Sequence, residues 1–450
     1  MSTSSKPIFT GRELFTLIWP LMVEQLLAVT VGIADTVMVS SVGEEAVSGI
    51  ALVDSINILF IQIFSAMATG GAVVASQYLG RRDRDSACCA AKQLLYTSLV
   101  LSLAIMALAL PFQRPLLAAI FGSIEPGVMT NAQTYFGLSL ASYPFLAVYN
   151  SGAALFRAMG NSRVSMLTSL LMNVVNIGGN AVLIYGFDWG VAGAAAASLV
   201  SRALSALIMI VLICRGSNTI AVYRLFRPEF RPSMVRRILS IGIPGGVENG
   251  MFQIGKLIVQ RLVSTFGTFA ISANAIANNI ASFVNVPGVA LQLALITVVG
   301  RCVGAQDYDQ AVSYTKRLLG ITYLSMGTLS LLLLFTAHPL VGLFHLSAEA
   351  TAAAEQVLYL FAVCSLLLWP LSFTTPNALR AAGDAKFTMI VSMISMWVFR
   401  IGFSYVLADS RGLGWGLMGV WIAMIIDWIA RAVVFSFRFL RGRWKERQVI

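Results

Sequence analysis

Two carboxylates interrupt an apolar run near the start of the 450-residue sequence. The stretch VEQLLAVTVGIADTVMVSSVG, residues 23–43, places Glu24 early and Asp35 well inside it. At 100° per residue, their separation returns them to within about 20° of the same helix face. One face turned to a cavity would account for both. A carboxylate in hydrocarbon costs about 2.5–3.5 kcal/mol on insertion scales, so something must offset it. Such a group can take a proton, because burial favours the neutral form. It can also ligate a cation, or accept a structural hydrogen bond from a neighbouring helix.

A second carboxylate of this kind, Glu248, lies in VENGMFQIGKLIVQ. On the same helix Asn249, Gln253, Lys256 and Gln260 fall at i, i+4, i+7 and i+11, a polar stripe facing a cavity or a partner helix. Glu248 is a second candidate for cation binding, unless Lys256 or a residue of another span neutralises it. Asp427 and Arg431 are spaced i,i+4 and pair with each other. Asp54 opens its span and reads as complementary to a helix dipole. Arg202 and Arg400 read as structural anchors.

These residues need helices that cross a bilayer. Hydrophobic residues make up 58% of the chain and charged residues 11%, against about 25% charged in a soluble domain. Apolar runs near the length of a span predict about twelve transmembrane helices, at 14–40, 50–79, 91–112, 132–157, 164–186, 190–214, 236–263, 270–302, 314–337, 354–379, 387–408 and 415–437. The chain is therefore expected to be an all-α polytopic membrane protein. Its first apolar run is too long for a signal peptide and lacks a cleavage site.

Basic residues such as Arg81, Arg82, Arg84, Arg157, Arg163, Arg301, Lys316 and Arg380 gather in one set of loops, with Lys6, Arg12 and the tail RFLRGRWKERQ. The opposite loops hold little beyond Arg114 and Arg411. By the positive-inside rule both termini are cytoplasmic. The net charge of +11 is then a topology signal suited to anionic lipid, and no motif supports nucleic-acid binding.

The sequence also repeats itself. YLGRRDRDSACCAAKQLL (78–95) matches CVGAQDYDQAVSYTKRLL (302–319), FRAMGNSRVSM (156–166) matches LRAAGDAKFTM (379–389), and LIWPLMVEQ (17–25) matches IGIPGGVEN (241–249), each 223 or 224 residues on. The last match pairs Pro20 with Pro244 and Glu24 with Glu248. Six spans per repeat start both halves on the same side, a parallel repeat typical of alternating-access transporters. The expected domains are an N-terminal lobe at 1–214, a cytoplasmic linker at 215–235 and a C-terminal lobe at 236–450. Pro20 and Pro244 break a helix hydrogen bond and kink the chain, which makes them candidate hinges. The spacing of Gly242, Gly246 and Gly250 allows close helix approach.

Pro20, followed fifteen residues on by Asp35 in ADTVMVSSVG, resembles the multidrug and toxic compound extrusion (MATE) transporters. So do YLGRRD closing the second span, FRAMGNSR after the fourth, and Asn176, Asn180, LIYG and GVAGAAAAS through residue 198. The resemblance covers the whole chain. It implies two six-helix pseudo-symmetric lobes in a V shape and a prokaryotic, multi-pass protein of the cytoplasmic membrane. The implied activity is antiport, with amphipathic, cationic organic compounds exported in exchange for H⁺ or Na⁺. It links Asp35 to cation binding and sets a polar cluster beside it, here Asn176, Asn180 and Ser198. Asn176 and Asn180 share a helix face, and Asn173 and Tyr149 could add polar atoms. Many relatives carry aspartate where this chain has Asn180. One carboxylate with amide and hydroxyl oxygens could still hold Na⁺ at Asp35, Asn176, Asn180 and Ser198, or Asp35 could take a proton, the reading preferred here. Branches of the family use a glutamate at Glu248 with an aspartate from the tenth span, and that aspartate is missing here.

No organic cofactor is expected, and no nucleotide motif is present. The partners are small drug-like molecules and membrane lipids, and the chain is expected to be a monomer. The five cysteines read as free thiols and the two histidines as too few for a zinc site. No Ser/His, HExxH or GxSxG pattern points to an intramembrane enzyme. A lipid-linked oligosaccharide flippase of related fold is the alternative, and its cavity would need several basic residues.

Overall fold

The computed structural model describes residues 7–450 except 123–124, 224, 226, 228, 410–411 and 448. Lys6, Arg224 and Arg411, which belong to the loop charge pattern, lie outside the described residues.

Among the described residues every regular element is helical, and twelve long helices follow one another. They are α1 (Gly11–Ser40), α2 (Glu44–Gly80), α3 (Arg84–Phe121), α4 (Pro126–Ala158), α5 (Ser162–Gly186), α6 (Gly190–Ile213), α7 (Pro232–Ser264), α8 (Thr268–Gly304), α9 (Tyr308–Gly342), α10 (Ala348–Ala381), α11 (Ala385–Ala408) and α12 (Gly416–Leu440). Ten are both long and apolar enough to cross a membrane; α4 and α7 fall short on apolarity. Both are 33 residues long, or about 50 Å at 1.5 Å per residue, so polarity and not length separates them. α7 carries Arg236, Arg237, Glu248, Lys256 and Arg261.

The chain divides into two compact units, Gly11–Gly246 and Val247–Val449, the second joined by the segment ending at Thr10. In the first unit α4 runs along α2 and α6, α3 packs on α2 and α4, and α1 lies on α5. In the second, α10 lies against α8 and α12, α9 packs on α8 and α10, and α11 packs on α12. The N-terminal segment is held in the second unit. The Phe9 N–H donates to Tyr314 Oη at 3.0 Å, and that hydroxyl donates to the Phe9 carbonyl at 2.7 Å. The boundary falls inside α7, two residues beyond Pro244.

The internal repeat fixes the turns. Asp83 caps α3 by accepting from the Ser86 N–H at 3.0 Å, and its mate Asp307 caps α9 by accepting from the Gln310 N–H at the same distance. The preceding residues, Arg82 and Gln306, both take left-handed backbone angles (φ 63° and 59°). Gly160 and Gly383 (φ 85° and 99°) close α4 and α10 with the same pair of hydrogen bonds, the Schellman motif that favours glycine at that position. These turns hold Arg157 and Arg380 at the ends of their helices.

Small residues let α2 and α7 meet backbone to backbone. A Cβ at Gly70 would stand 2.7 Å from the Ile238 carbonyl oxygen and 2.8 Å from the Gly242 nitrogen. Gly242, one of the three glycines singled out by spacing, therefore serves this contact.

Gly70→Ala should destabilise the detergent-solubilised protein by about 1–3 kcal/mol, read as a lower melting temperature. Gly320→Ala, where a Cβ meets nothing within 4 Å, should leave the melting temperature unchanged or raise it. Asp83→Ala should remove about 1 kcal/mol of capping. Hydrogen bonds from the Ser86 hydroxyl and N–H hold the Asp83 carboxyl below the ordinary carboxylate range. The cap's contribution is thus present at neutral pH and fades only as pH falls through that lowered value. A melting curve taken across acid pH, wild type against variant, checks the sign.

Candidate functional site

Asp35 lies on α1, half-buried, at a cavity of about 240 Å³ within the first unit. Asn180 on α5 donates its amide to Asp35 Oδ1 at 2.8 Å. Asn176, one turn earlier, donates to the same oxygen at 2.9 Å and accepts from Ser198 Oγ at 3.0 Å, in the amide orientation that satisfies both its ends. α5 then widens into π-type turns over Ala181–Gly186, irregularities that recur at functional sites. Asp35, Asn176, Asn180 and Ser198, taken from α1, α5 and α6, thus come together.

The same cavity holds residues that sequence spacing did not single out for it. Asp54 on α2, Tyr135 on α4 and Arg202 on α6 all line it. Asp54 accepts from Asn57 Nδ2 at 3.1 Å and shares a hydrogen bond with Tyr135. Arg202 Nη1 donates to Ser142 Oγ at 2.6 Å and stands in the field of both carboxylates. A signal was available for Arg202, which follows Ser198 by four residues and so shares its face. None marked Asp54, whose place at the start of α2 fits a dipole role equally well.

Glu24 is elsewhere. Its carboxylate meets Arg157 of α4 at 3.2 Å and Ser165 of α5 at 2.8 Å. A single cavity does not explain Glu24 and Asp35 together, because three turns of helix carry them to different neighbours. Tyr149 shares a hydrogen bond with Ser169 and stands near this ion pair. Asn173 is buried, and its amide nitrogen has no partner among the described residues.

The second unit repeats the ion pair. Glu248 on α7 meets Arg380 of α10 at 2.5 Å, and Arg380 also donates to Asn377 at 2.9 Å and Thr388 at 3.3 Å. Glu24 and Glu248, Arg157 and Arg380, Ser165 and Thr388 are all repeat mates. Glu248 was a candidate cation ligand unless Lys256 or a residue of another span neutralised it. It meets Arg380, a counter-ion supplied by another span. Glu248 and Arg380 line a cavity of about 150 Å³; Gln253 lines neither this cavity nor the Asp35 cavity, and Lys256 lies over the Phe252 ring at 5.1 Å. Pro20 and Pro244 sit inside α1 and α7, four residues before each glutamate.

Comparison with known proteins decides the family. The MatE family model matches residues 20–182 and again residues 244–406, each match beginning at one of the paired prolines. The chain belongs to the MatE family. Its relatives include the uncharacterized transporter YisQ of Bacillus subtilis, 29% identical over 98% of this chain and 97% of that one. A probable multidrug resistance protein NorM of Thermotoga maritima is 26% identical over 98% and 94%. Among solved structures, an outward-facing multidrug resistance MATE transporter superposes with a TM-score of 0.89 at 22% identity, covering 97% of this chain and 96% of that one. A Pyrococcus furiosus MOP-superfamily transporter, described as having a binding pocket of reverse polarity that suggests a different function, gives 0.89 at 21% identity, covering 97% of both. The likeness that the motifs carried is borne out over the whole chain, and the flippase alternative is not favoured.

This MatE chain is thus a multi-pass membrane transporter with two polar regions of unlike character. One is the Asp35 cavity. The other surrounds Asp427 in the second unit. Arg431 donates to it at 2.8 Å, Ser395 at 2.5 Å, and Arg400 stands 3.9 Å away. The i,i+4 pairing of Asp427 with Arg431 follows the spacing; Arg400 joining it does not.

Removing one partner of a buried ion pair costs about 3–5 kcal/mol, because the other charge is left uncompensated. Glu24→Gln and Glu248→Gln should each destabilise by that order, measured as chemical or thermal unfolding in detergent. The double variant Glu24→Gln/Arg157→Gln should recover part of the loss. Additive losses in that cycle would show that the pair does not act as one.

Proposed function

We propose that this chain is a secondary active antiporter that exports amphipathic, cationic organic compounds in exchange for a cation taken up at Asp35. Its location in this reading is the cytoplasmic membrane of a prokaryote. Both termini are cytoplasmic, each lobe holds six helices, and the protein works as a monomer among membrane lipids.

One observation carries the reading. Glu24, Glu248 and Asp427 are each held by an arginine. Among the described residues Asp35 has no basic group within 4 Å; it has two amide donors and an open cavity. A carboxylate with a fixed arginine stays charged, whereas one held by neutral amides can be neutralised by an arriving ion.

One feature favours H⁺ over Na⁺. Asn180 turns its amide nitrogen to Asp35, and Asn176 does so in the orientation that satisfies both its ends, whereas a sodium ion would need oxygens turned toward it. The charges of the cavity suit one monovalent ion of either kind. Asp35 and Asp54 supply two negative charges and Arg202 one positive, leaving a single net charge to cancel. Asn176, Asn180 and Ser198 position Asp35, and Asn173 lies one turn before Asn176 on the same helix. Pro20 and Pro244 serve as hinges in α1 and α7, so that neutralising Asp35 changes how α1 packs.

The driving force is adequate. One charge moved through 100 mV is worth about 2.3 kcal/mol, and one pH unit adds about 1.4 kcal/mol. Together they could sustain a ratio of several hundred-fold for an uncharged cargo; exchange of one H⁺ for one monovalent organic cation moves no net charge, and one pH unit alone sustains about tenfold.

In proteoliposomes, Asp35→Asn should abolish transport driven by an imposed pH gradient while leaving the protein folded. Asn176→Asp should weaken coupling at least tenfold, because a third carboxylate would stand beside Asp35. A pH gradient alone should drive the wild type, and a sodium gradient alone should not. Wild-type rates from Asp35→Asn would remove that residue from coupling.

A further inference from the structure

The criterion that singles out Asp35 also singles out Asp54. Both line the cavity of about 240 Å³ in the first unit. Among the described residues neither has a basic group within 4 Å, and each is held by two neutral donors. For Asp54 these are Asn57, whose Nδ2 donates to Oδ1 at 3.1 Å, and Tyr135. Asn57 is itself fixed, since the buried Tyr143 hydroxyl donates to its Oδ1 at 2.7 Å. Asp54 is therefore held as Asp35 is, and not as Glu24, Glu248 and Asp427 are.

A helix-dipole role, which the sequence alone allows, does not account for this acid. That effect fades within the first turn. The observed α2 begins at Glu44, and Glu44 and Glu45 fill its first turn. The duplicated scaffold does not call for a charge here either, because the repeat mate of Asp54 is Asn278. That residue serves with a neutral amide, which donates to the Asn274 carbonyl at 2.7 Å.

Arg202 sets the charge count. Its Nη1 donates to Ser142 Oγ at 2.6 Å, and it acts on both carboxylates from beyond contact distance. One guanidinium thus serves two carboxylates and commits to neither. The remaining titratable group lining the cavity is Tyr135, a neutral phenol near pH 7; α5 contributes amides alone. The cavity has room for water, whose share of the liquid is about 30 Å³ per molecule. Asn180, which lines it, keeps a buried side-chain oxygen without a partner among the described residues, an acceptor for an O–H group entering the cavity.

We propose that Asp54 is the second seat of the coupling proton: Asp35 and Asp54 share one proton, and Arg202 fixes the number at one by balancing the other negative charge. This rests on the reading of Asp35 as the residue that takes up the ion, and it adds a partner and a stoichiometry. Uptake forms one O–H bond, at Asp35 or at Asp54, and the hydronium that delivers the proton leaves as water. With either carboxylate removed, the survivor faces one guanidinium. Opposite charge favours the charged form, so the survivor stays ionised. With Arg202 removed as well, one unbalanced negative charge returns, and with it the uptake of a proton.

Dicyclohexylcarbodiimide reports the shared proton without any cargo, because it adds a protonated carboxyl across a C=N bond and spares the carboxylate. The full-length protein in non-ionic detergent is treated over a falling pH series, and the adducts are located by peptide mass spectrometry. In the wild type both Asp35 and Asp54 should be labelled as pH falls, with one adduct per molecule. Asp35→Asn should reduce labelling of Asp54 at least tenfold, and Asp54→Asn should do the same to Asp35. Adding Arg202→Gln to either variant, with folding checked by melting temperature, should restore most of the labelling, which a merely structural role for Asp54 or Arg202 would not produce. Equal labelling of Asp35 in the wild type and in Asp54→Asn overturns the sharing and leaves Asp35 as the seat of the ion. Asp35 unlabelled at every pH overturns that reading as well. A folded Asp35→Asn/Arg202→Gln variant whose Asp54 stays unlabelled overturns the charge count.

Discussion

A carboxylate inside a low-dielectric bundle has to be compensated, and the way each one is compensated organises this protein. Water stabilises an ion by many kcal/mol, and a span that withdraws it must return most of that through opposite charge or hydrogen bonds. Glu24, Glu248 and Asp427 receive arginines. Asp35 receives two amides and a cavity. The first solution fixes an opposite charge beside the carboxylate. The second surrounds it with neutral donors and open space.

The duplication shows which solution belongs to the fold and which to the work. The Glu–Arg pairs, the capping aspartates and the glycine turns that end α4 and α10 recur in both halves at the same positions. They tie the first helix of each repeat to the end of its fourth. The polar sites do not recur. The mates of Asn176, Asn180 and Asp35 are Phe399, Phe403 and Val259, so the second unit has nothing like the Asp35 cavity at the matching place. Its buried polar groups come from different positions, Arg400, Asp427 and Arg431. The scaffold remained duplicated while the chemistry of the halves diverged.

Much of this was legible in the sequence because membrane helices follow from length and apolarity. Each of the twelve expected spans overlaps one observed helix, the third being shorter than its helix by seven and nine residues at its ends, and α4 and α7 are less apolar because they carry the polar residues of the interior. The cluster of Asp35, Asn176, Asn180 and Ser198 was also legible, from helix periodicity joined to the family's pattern. The misplacement of Glu24 has a physical cause. Helical periodicity says which residues share a face, but not which neighbours that face meets after three turns. Arg157 is far along the chain, and only the repeated turn at Gly160 and Gly383 brings arginine to glutamate. The place of Asp54 was illegible for the same reason: Tyr135 and Arg202, which line its cavity, come from helices distant in sequence.

The two polar regions carry opposite balances of charge. Around Asp35 two carboxylates face one guanidinium, and the balance is negative. Around Phe252 three cations, Lys256, Arg400 and Arg431, face one carboxylate, and the balance is positive. Interactions between charges weaken with distance and screening, so each region answers first to its own contents. A protein that kept both regions apolar would be easier to insert and more stable. Retaining unbalanced charge of both signs in separate units is costly in a membrane.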